Sequence, residues 1–326
     1  MLTTTLGGIP VGRLGFGCFA LSGGYGEADP AAAVAMIHAV LDAGVNLLDT
    51  SDAYAAGENE VLVGRALAGH RERAVVATKF GWVLDDAGRA VRLDSSPAQV
   101  RKACVASLRR LGTDHIDVYI QHRVDPEVPI EATMGELMRL REEGKILAMG
   151  LSEAAPATLS RANEVAEVAA LQTEYSLWSR EPEAELLPLC DRLGTGFMAY
   201  SPLGRGFLTG TVRSVDDLPE NDFRRDQPRF ARANLKRNLV RVDRLAQLAG
   251  DLGCSAPQLA LAWLLARPWN VIPIPSTRSL GHLQDNLKAL ELELSAADLA
   301  AAGEAVSPDS IQGERHPEQH MKTLNR

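Results

Sequence analysis

VNLLDTSDAY, residues 45–54, begins as a short apolar run and ends in polar residues. Val45, Leu47 and Leu48 have the spacing and the length of a buried strand. Asp49 ends that run, and Tyr54 follows in a polar segment. A carboxylate at the end of a buried strand is costly unless a partner neutralises it. Taken alone, the stretch favours an Asp that caps a turn and a Tyr that packs in a loop; a functional interpretation needs partners from the rest of the chain.

The composition is that of a globular protein with ample material for a core, since 46% of its residues are hydrophobic and 23% are charged. A chain of 326 residues has the length of a single α/β barrel. The net charge of −8 and the pI near 5.5 argue against nucleic acid or an anionic membrane as a partner. No apolar run is long enough to span a bilayer, and residues 1–15 lack the features of a secretory signal.

The four cysteines are scattered, without pairs and without the spacing of metal ligands. They are Cys18, Cys104, Cys190 and Cys254. This usage is typical of small buried side chains in a reducing compartment, so we predict a cytoplasmic location.

Apolar strand patterns alternate with amphipathic helix patterns along nearly the whole chain. After a small N-terminal hairpin, the predicted strands are 14–20, 45–49, 74–81, 115–122, 145–152, 169–175, 196–201 and 270–275. The helices between them are predicted at 29–44, 58–68, 95–112, 130–143, 155–166 and 182–193. Eight such units predict a (β/α)8 barrel, with right-handed crossovers, rather than a doubly wound sheet. We therefore expect residues 1–326 to form one barrel domain.

Two segments depart from a plain barrel. A long Gly-, Pro- and Arg-rich connection, about 203–236, replaces the few residues that a barrel needs, and two extra helices follow it at 237–252 and 257–266. Long loops without regular structure in compact domains tend to be functional. A further helix begins near residue 295, and the polar tail of about 308–326 is expected to end in a mobile segment.

The predicted carboxyl ends of successive strands carry residue types with complementary chemistry. Asp49, Lys79 and His122 end strands two, three and four, and Tyr54 follows strand two. In a barrel these ends meet at one rim, where active sites lie. A phenol with a pKa of about 10 is a poor proton donor at neutral pH, and a nearby ammonium lowers that pKa while a carboxylate holds the ammonium in place. An imidazole beside them can orient a carbonyl oxygen or assist proton transfer.

This Asp–Tyr–Lys–His set, in this order, resembles the catalytic tetrad of the aldo-keto reductases. LDTSDAYAAGENEVLVGRAL (48–67) resembles the strand-two signature of that family, and GLSEA (150–154) and AYSPLGRGFLTG (199–210) resemble two of its cofactor segments. The resemblance extends from the hairpin to residue 290, and SEA (152–154) with EYSLW (174–178) is similar to one subset of the family. It implies a metal-free barrel that binds NADP(H) in an extended pose and reduces aldehydes or ketones.

The resemblance also implies a cofactor site along the remaining strand ends. Ser152 and Gln172 match positions that bind the nicotinamide carboxamide, Glu153 stands where many members have Asn, and Tyr200 matches a ring that stacks on the nicotinamide. Without the motif, Tyr200 is equally well interpreted as a core residue. The pyrophosphate positions at the start of the long loop are Ser201, Leu203, Gly204 and Arg205. Thr211 replaces a lysine of many relatives, and arginines in FRRDQPRFAR (223–232) are the alternative phosphate ligands, although a solvated basic loop explains most of them.

The segment PSTRSLGHLQDNL (275–287) matches the adenosine-phosphate region of the family. Ser276, Thr277 and Arg278 supply hydroxyls, backbone donors at a helix start and a guanidinium, all suited to phosphate. Asp285 and Asn286 match the pair that contacts adenine, and His282 stands where several relatives have Arg or Gln. An ordinary capped helix is the alternative interpretation of this stretch.

The substrate pocket is predicted from residues just beyond the strand ends. Tyr25, Trp82 and Trp178, together with Arg205, are positioned to wall it, and each is equally consistent with loop packing. The sequence predicts an NADP(H)-dependent reductase of small carbonyl compounds in which Tyr54 protonates the oxygen. Three alternatives stay open: a dehydrogenase acting on an alcohol, a cofactor-binding regulatory subunit like those of channels, and a metal-dependent barrel hydrolase, for which the strand ends lack ligands.

Overall fold

The computed structural model describes residues 3–325, and its strands follow the predicted order. In chain order they are β1 (Thr3–Leu6), β2 (Ile9–Gly12), β3 (Phe16–Gly17), β4 (Leu47–Asp49), β5 (Val75–Phe80), β6 (Trp82–Leu84), β7 (Ala90–Leu93), β8 (Ile116–Gln121), β9 (Ile146–Ser152), β10 (Ala170–Glu174), β11 (Gly196–Tyr200) and β12 (Val271–Pro273). β1 and β2 form the predicted antiparallel hairpin. The other pair, β6 with β7, was not predicted, because its charged and Gly-containing sequence carries no apolar alternation.

The remaining eight strands form one parallel sheet in the order β3-β4-β5-β8-β9-β10-β11-β12. The sheet closes on itself, since Gly15 N donates to Pro273 O over 2.9 Å and Gly17 N to Pro275 O over 3.0 Å. A Cβ on Gly17 would lie 3.0 Å from Ile274 O, so the two edges approach this closely because Gly17 has no side chain. The predicted (β/α)8 barrel with an N-terminal hairpin is confirmed.

The helices surround the barrel. They are α1 (Pro30–Asp42), α2 (Glu58–Leu67), α3 (Pro97–Leu111), α4 (Ile130–Glu142), α5 (Pro156–Val165), α6 (Leu186–Leu193), α7 (Arg232–Asp251), α8 (Ala256–Leu265), α9 (Leu280–Lys288), α10 (Ala296–Ala305) and α11 (Glu318–Met321). α7 begins five residues earlier than predicted, after four short 3₁₀ turns between residues 204 and 230. Within residues 3–325, no helix combines the length and the apolar character needed to cross a bilayer.

The barrel interior is apolar, and the hairpin closes its amino-terminal end. Leu6 and Val11 of the hairpin are fully buried and belong to the same cluster as Ala77, Val118 and Met198 of the barrel strands. Burying an aliphatic side chain of this size contributes about 1.5–3 kcal/mol. The opposite end of the barrel, where the strands finish, is therefore left as the open end.

The C-terminal tail lies across that open end instead of projecting into solvent. Asn238 Nδ2 donates to Gln312 O over 3.0 Å, and Ala155 N donates to Asn325 Oδ1 over 2.8 Å. Arg315 is buried at 8% exposure in an ion pair. The expectation of a mobile end does not match these contacts, which tie the tail to the barrel at both its start and its finish.

Candidate active site

A cavity of about 790 Å³ opens at the carboxyl ends of the strands. Asp49, Tyr54 and His122 line it, and Lys79 lies beneath its floor, fully buried. Asp49 ends β4, and Tyr54 lies in the turn after it. Lys79 lies in β5, and His122 directly follows β8. Parallel strands of a barrel finish at one rim, so positions far apart in sequence converge there.

Lys79 is the centre of this cluster. Its Nζ donates to Asp49 Oδ1 at 2.9 Å, Asp49 Oδ2 at 2.8 Å and Thr50 O at 2.7 Å. The same ammonium donates to Tyr54 OH over 3.2 Å. Asp49 also accepts from Gln172 Nε2 at 2.7 Å. An ammonium without access to water is tolerated because each of its donors has an oxygen partner.

Burial and charge act in opposite directions on the two titrating groups. Burial lowers the pKa of Lys79, but Asp49 and Tyr54 outweigh it, so the net shift is upward and the lysine stays charged. For Tyr54 burial is the largest influence and raises the pKa, whereas Lys79 lowers it. From the sequence, the pKa of Tyr54 is expected to fall below its usual value. Lys79 does lower that pKa, but removal of the phenol from water raises it by more.

His122 faces the cavity as a neutral imidazole. Burial, with Arg123 and Lys79, lowers its pKa well below the usual range. Its Nδ1 lies 3.1 Å from Ser51 Oγ, and its ring contacts the Tyr54 ring edge-on at a centroid distance of 5.9 Å. Nε2 has no hydrogen-bond partner among residues 3–325, so it is available to a group in the cavity.

Three predicted cofactor residues line the cavity beyond His122: Ser152, Gln172 and Tyr200. They end β9, lie within β10 and end β11, respectively. The Tyr200 hydroxyl donates to Glu153 Oε1 over 2.7 Å. That bond directs the hydroxyl away from the apolar core, so the alternative of a simple core tyrosine does not describe it.

Glu153 is not on the cavity wall. It has a φ of +52° and lies under the tail, where Arg315 Nη1 and Nη2 donate to its two oxygens over 3.0 and 2.9 Å. Burial raises the pKa of Glu153, but Arg315 and Arg123 lower it further than burial raises it. No local sequence pattern indicates this pair, because its members are separated by 162 positions and the tail is polar throughout.

The start of the long loop lies along one side of the cavity. Ser201, Leu203 and Arg205 line it, and Ser201 and Arg205 have φ values of +48° and +58°. Arg205 Nη2 donates to Glu174 Oε2 over 3.0 Å. Gly204 lies behind this wall, where a Cβ would be 2.7 Å from the Trp178 ring.

The segment after β12 forms the far wall. The predicted phosphate and adenine residues that line it are Ser276, Thr277, Arg278, His282, Asp285 and Asn286. Ser276 Oγ accepts from Ala20 N at 3.1 Å, and Asp285 Oδ2 accepts from Ser255 Oγ at 2.7 Å. Arg278 Nη2 donates to Tyr25 O over 2.9 Å, and Nη1 donates to Glu27 O. The guanidinium is therefore held at the cavity edge by the loop before α1.

The aromatic wall differs from the predicted one. Tyr25 lines the cavity as expected, together with Phe19 and Phe223, whose rings lie 5.5 and 5.2 Å from it. Trp178 is instead buried at 2% exposure and stacks on Phe207. Trp82 belongs to the β6–β7 hairpin and is not among the lining residues.

Several lining residues were missed. Among them are Phe19, Arg123, Phe223 and His316, whereas Arg224, which also lines the cavity, belongs to the predicted basic segment 223–232. Phe19 begins a 3₁₀ turn and His316 belongs to the tail, so no strand-end rule selects either one. Arg123 directly follows His122 and was the one that the strand-end rule could have found. No group of three or more His, Cys, Asp or Glu side chains suited to a metal ion occurs within residues 3–325.

Comparison with known proteins gives consistent matches. The profile of the family described as "Aldo/keto reductase family" matches residues 13–306. The glycerol dehydrogenase of Gluconobacter oxydans is 33% identical, with a TM-score of 0.85, over 94% of this chain and 96% of that one. An aldo-keto reductase of Bacillus halodurans is 28% identical, with a TM-score of 0.78 and coverage of 98% and 99%. An aldo/keto reductase of Klebsiella pneumoniae, solved with NADP and acetate, is 28% identical, with a TM-score of 0.75 and coverage of 96% and 97%.

Proposed function

Because this chain belongs to the aldo/keto reductase family, we propose that it is an NADP(H)-dependent oxidoreductase that reduces aldehydes or ketones to alcohols. The observation that carries the proposal is the contact of one buried ammonium, Lys79, with both Asp49 and Tyr54 at the cavity floor. A charged lysine held by a carboxylate and directed at a phenol has little structural justification, since burying it costs several kcal/mol before pairing.

Tyr54 is the proposed proton donor. A bound nicotinamide would supply the hydride, and the carbonyl oxygen would take its proton from the Tyr54 hydroxyl. Lys79 stabilises the phenolate that remains, and Asp49 holds Lys79 in place. The neutral His122 presents Nε2 to the same oxygen and orients it. Burial raises the pKa of Tyr54 above its usual value, so the phenol keeps the proton that it donates.

The proposed cofactor site follows the cavity from the tetrad to α9. Ser152, Gln172 and Tyr200 would hold the nicotinamide, and Ser201, Leu203, Gly204 and Arg205 the pyrophosphate. Ser276, Thr277 and Arg278 would hold the adenosine phosphate, with His282, Asp285 and Asn286 at the adenine. The donor chemistry fits: hydroxyls and a guanidinium at the start of a helix suit a phosphate. Glu153 would act only through Tyr200, because it lies outside the cavity.

The segment 203–236 is proposed to cover the bound cofactor within a single barrel domain formed by residues 1–326. Its short 3₁₀ turns connect through polar side chains, such as the bond of Arg205 Nη1 to Gln227 Oε1 at 2.6 Å. Such a segment can open without disrupting the barrel. Because all four cysteines are free thiols, we also propose a cytoplasmic location.

Oxidation of an alcohol is a second candidate for the physiological direction. The similarity to a glycerol dehydrogenase favours it, and the same tetrad serves both directions. The cavity wall beside Tyr54 is aromatic and consists of the rings of Phe19, Tyr25 and Phe223. Such a wall suits a small substrate with an apolar side.

A panel of aldehydes and ketones, followed by loss of NADPH absorbance with NADH in parallel, tests the proposal. We expect turnover with NADPH and slower turnover with NADH. Tight nucleotide binding without turnover on any member, or on alcohols with NADP⁺, would instead support a regulatory subunit.

A further inference from the structure

Arg123 is a cation in the cavity without a carboxylate partner. It is half-buried, follows His122 and lines the cavity. Its Nη1 donates to His122 O over 2.6 Å and to Ser152 Oγ over 3.4 Å. Within residues 3–325 it forms no ion pair, and its buried Nε has no hydrogen-bond partner. A partly buried guanidinium without a carboxylate partner is costly, which points to an anionic ligand in the cavity that completes it.

Two buried carboxylates on this side of the cavity are already paired with other arginines. Both oxygens of Glu153 accept from Arg315. Glu174 pairs with Arg205 at 3.0 Å and with Arg229 at 3.4 Å. Four guanidiniums therefore share two carboxylates on this side of the cavity; they belong to Arg123, Arg205, Arg229 and Arg315.

His316 lies between these charged groups. His316 Nδ1 lies 3.1 Å from Arg205 Nη2, and its Nε2 lies 3.3 Å from the Tyr200 hydroxyl. Burial, followed by Arg205 and Arg123, lowers the pKa of His316 to about 2. Burial is the largest of these causes, and among the charged groups Arg205, Arg123 and Arg315 lower the pKa whereas Glu153 raises it.

The Nη2 group of Arg123 is suited to a carboxylate. Nη1 is occupied by a backbone carbonyl and Nε is enclosed by the protein, whereas Nη2 makes no hydrogen bond within residues 3–325. The N–H groups of a guanidinium nitrogen form charge-assisted hydrogen bonds to carboxylate oxygens. Arg123 adjoins His122 and acts electrostatically on Tyr54, whereas Arg278 lies on the wall after β12.

We propose that Arg123 binds a carboxylate group of the substrate, so that the preferred substrates are aldehydes or ketones that also carry a carboxylate. This inference rests on the proposed carbonyl reduction and names its substrate class. Arg123 would be a specificity-determining residue, because it holds the anionic end of the molecule while Tyr54 and His122 contact the carbonyl oxygen.

Matched pairs of substrates test it: glyoxylate, succinic semialdehyde and 4-carboxybenzaldehyde, each against its neutral methyl ester, with NADPH. We expect wild type to favour the carboxylate member of at least one pair by roughly ten- to a hundredfold in kcat/KM, the effect of a charge-assisted hydrogen bond. Arg123→Met should abolish that preference, measured as the ratio of kcat/KM for the carboxylate to kcat/KM for its ester, whereas Arg123→Lys should keep part of it. Arg139→Met, at an arginine with 64% side-chain exposure, is the control.

The outcomes separate this inference from the proposed function. Turnover of both members of every pair at equal kcat/KM, in wild type and in Arg123→Met, would overturn the inference and leave carbonyl reduction standing. No turnover of any aldehyde would remove the proposed function itself. Loss of NADPH binding in a folded Arg123→Met protein would assign Arg123 to the cofactor and also overturn the inference. If that variant does not fold, competitive inhibition of wild type by benzoate, and none by benzamide, is the expected result, and equal inhibition would contradict it.

Discussion

Ser51 Oγ lies 3.1 Å from His122 Nδ1 and 3.3 Å from Asp52 Oδ1, so one hydroxyl connects the imidazole to a carboxyl group outside the tetrad. A hydroxyl has a single proton to donate. If Ser51 donates it to Asp52, the proton of the neutral imidazole lies on Nδ1, and Nε2 can only accept. If Ser51 donates to Nδ1, Nε2 carries the proton and can donate to a carbonyl oxygen.

The carboxyl group of Asp52 titrates in the range where this choice matters. Burial and the neighbouring Glu60 raise its pKa to about 7, whereas Arg110 and the Ser51 hydroxyl lower it. As pH rises through about 7, Asp52 ionises and accepts a hydrogen bond from the Ser51 hydroxyl. The proton of the neutral His122 imidazole then lies on Nδ1, and Nε2 no longer has an N–H to donate. We expect kcat/KM for carbonyl reduction to fall across this step by about three- to tenfold, the value of one hydrogen bond.

Asp52→Ala removes the acceptor and should fix the Nε2–H form, so its pH profile should lack the step near 7. Profiles of kcat/KM between pH 5 and 9 measure this, and ¹⁵N shifts of His122 report the tautomer directly. The same step in Asp52→Ala as in wild type would show that another group causes it.

Tyr54→Phe removes the proposed proton donor and keeps the ring, which packs against Phe19 at 5.0 Å. General acid catalysis contributes about 10²–10⁴-fold, so kcat should fall by at least the lower value. The dissociation constant for NADPH should stay within a few-fold of wild type. Tyr119→Phe is the matched control, because the buried Tyr119 hydroxyl has no hydrogen-bond partner within residues 3–325. Full activity in Tyr54→Phe contradicts the mechanism, and lost cofactor binding would make Tyr54 structural.

Arg278→Ala tests recognition of the 2′-phosphate. In the structure Arg278 donates to the carbonyls of Tyr25 and Glu27, bonds that it would exchange for phosphate. A charge-assisted contact contributes about 1.5–3 kcal/mol, so NADPH binding should weaken roughly ten- to a hundredfold. Binding of NADH, measured by the same fluorescence titration, should hardly change. Equal losses for both cofactors would mean that Arg278 supports the loop around Tyr25 rather than the phosphate.

Hydrogen exchange tests the segment 203–236 as a cover for the cofactor. Up to the start of α7 at Arg232 its backbone has only short 3₁₀ turns, so its amides should exchange quickly without ligand and slowly with saturating NADP⁺. Amides of β8, in the barrel, serve as the reference and should be protected in both states. If exchange across 203–236 is the same with and without NADP⁺, the segment does not close.

Arg315→Met tests the connection between the tail and the barrel. It leaves the buried Glu153 without its bidentate partner, and breaking a buried pair in this way typically costs about 3–5 kcal/mol. The pKa of Glu153 is lowered in the folded state, so this stabilisation is present above its unfolded value of about 4.3 and is lost as pH falls through the folded value.

Denaturant unfolding at pH 7 measures the decrease in the free energy of unfolding in Arg315→Met. Arg161→Met is the matched control, because Arg161 contacts both oxygens of Glu131 at 2.8 Å on the surface, where solvent screening leaves an ion pair with little effect on stability. Equal losses in the two variants would show that burial adds nothing to the Arg315–Glu153 pair.

The barrel and the convergence of Asp49, Lys79 and His122 could be predicted from sequence, because both follow from local periodicity and from where apolar runs end. The Arg315–Glu153 pair could not, since no local pattern indicates which distant carboxylate a tail arginine meets. Trp178 was placed on the cavity wall because it follows a strand, yet Gly204 allows the loop backbone to cover it. The pKa of Tyr54 was expected to fall because sequence names the neighbouring charge but not the extent of burial.

The hairpin at the amino-terminal end of the barrel has a consequence for the order of ligand exchange. Leu6 and Val11 fill that end, and Gly7 approaches so closely that a Cβ on it would lie 2.6 Å from Ala169 Cβ. Among residues 3–325, this leaves the opening at the carboxyl ends of the strands as the shared route for arrival and departure. A molecule seated on the floor beside Tyr54 must therefore leave after one that lies above it, so the closed end imposes a compulsory sequence of release.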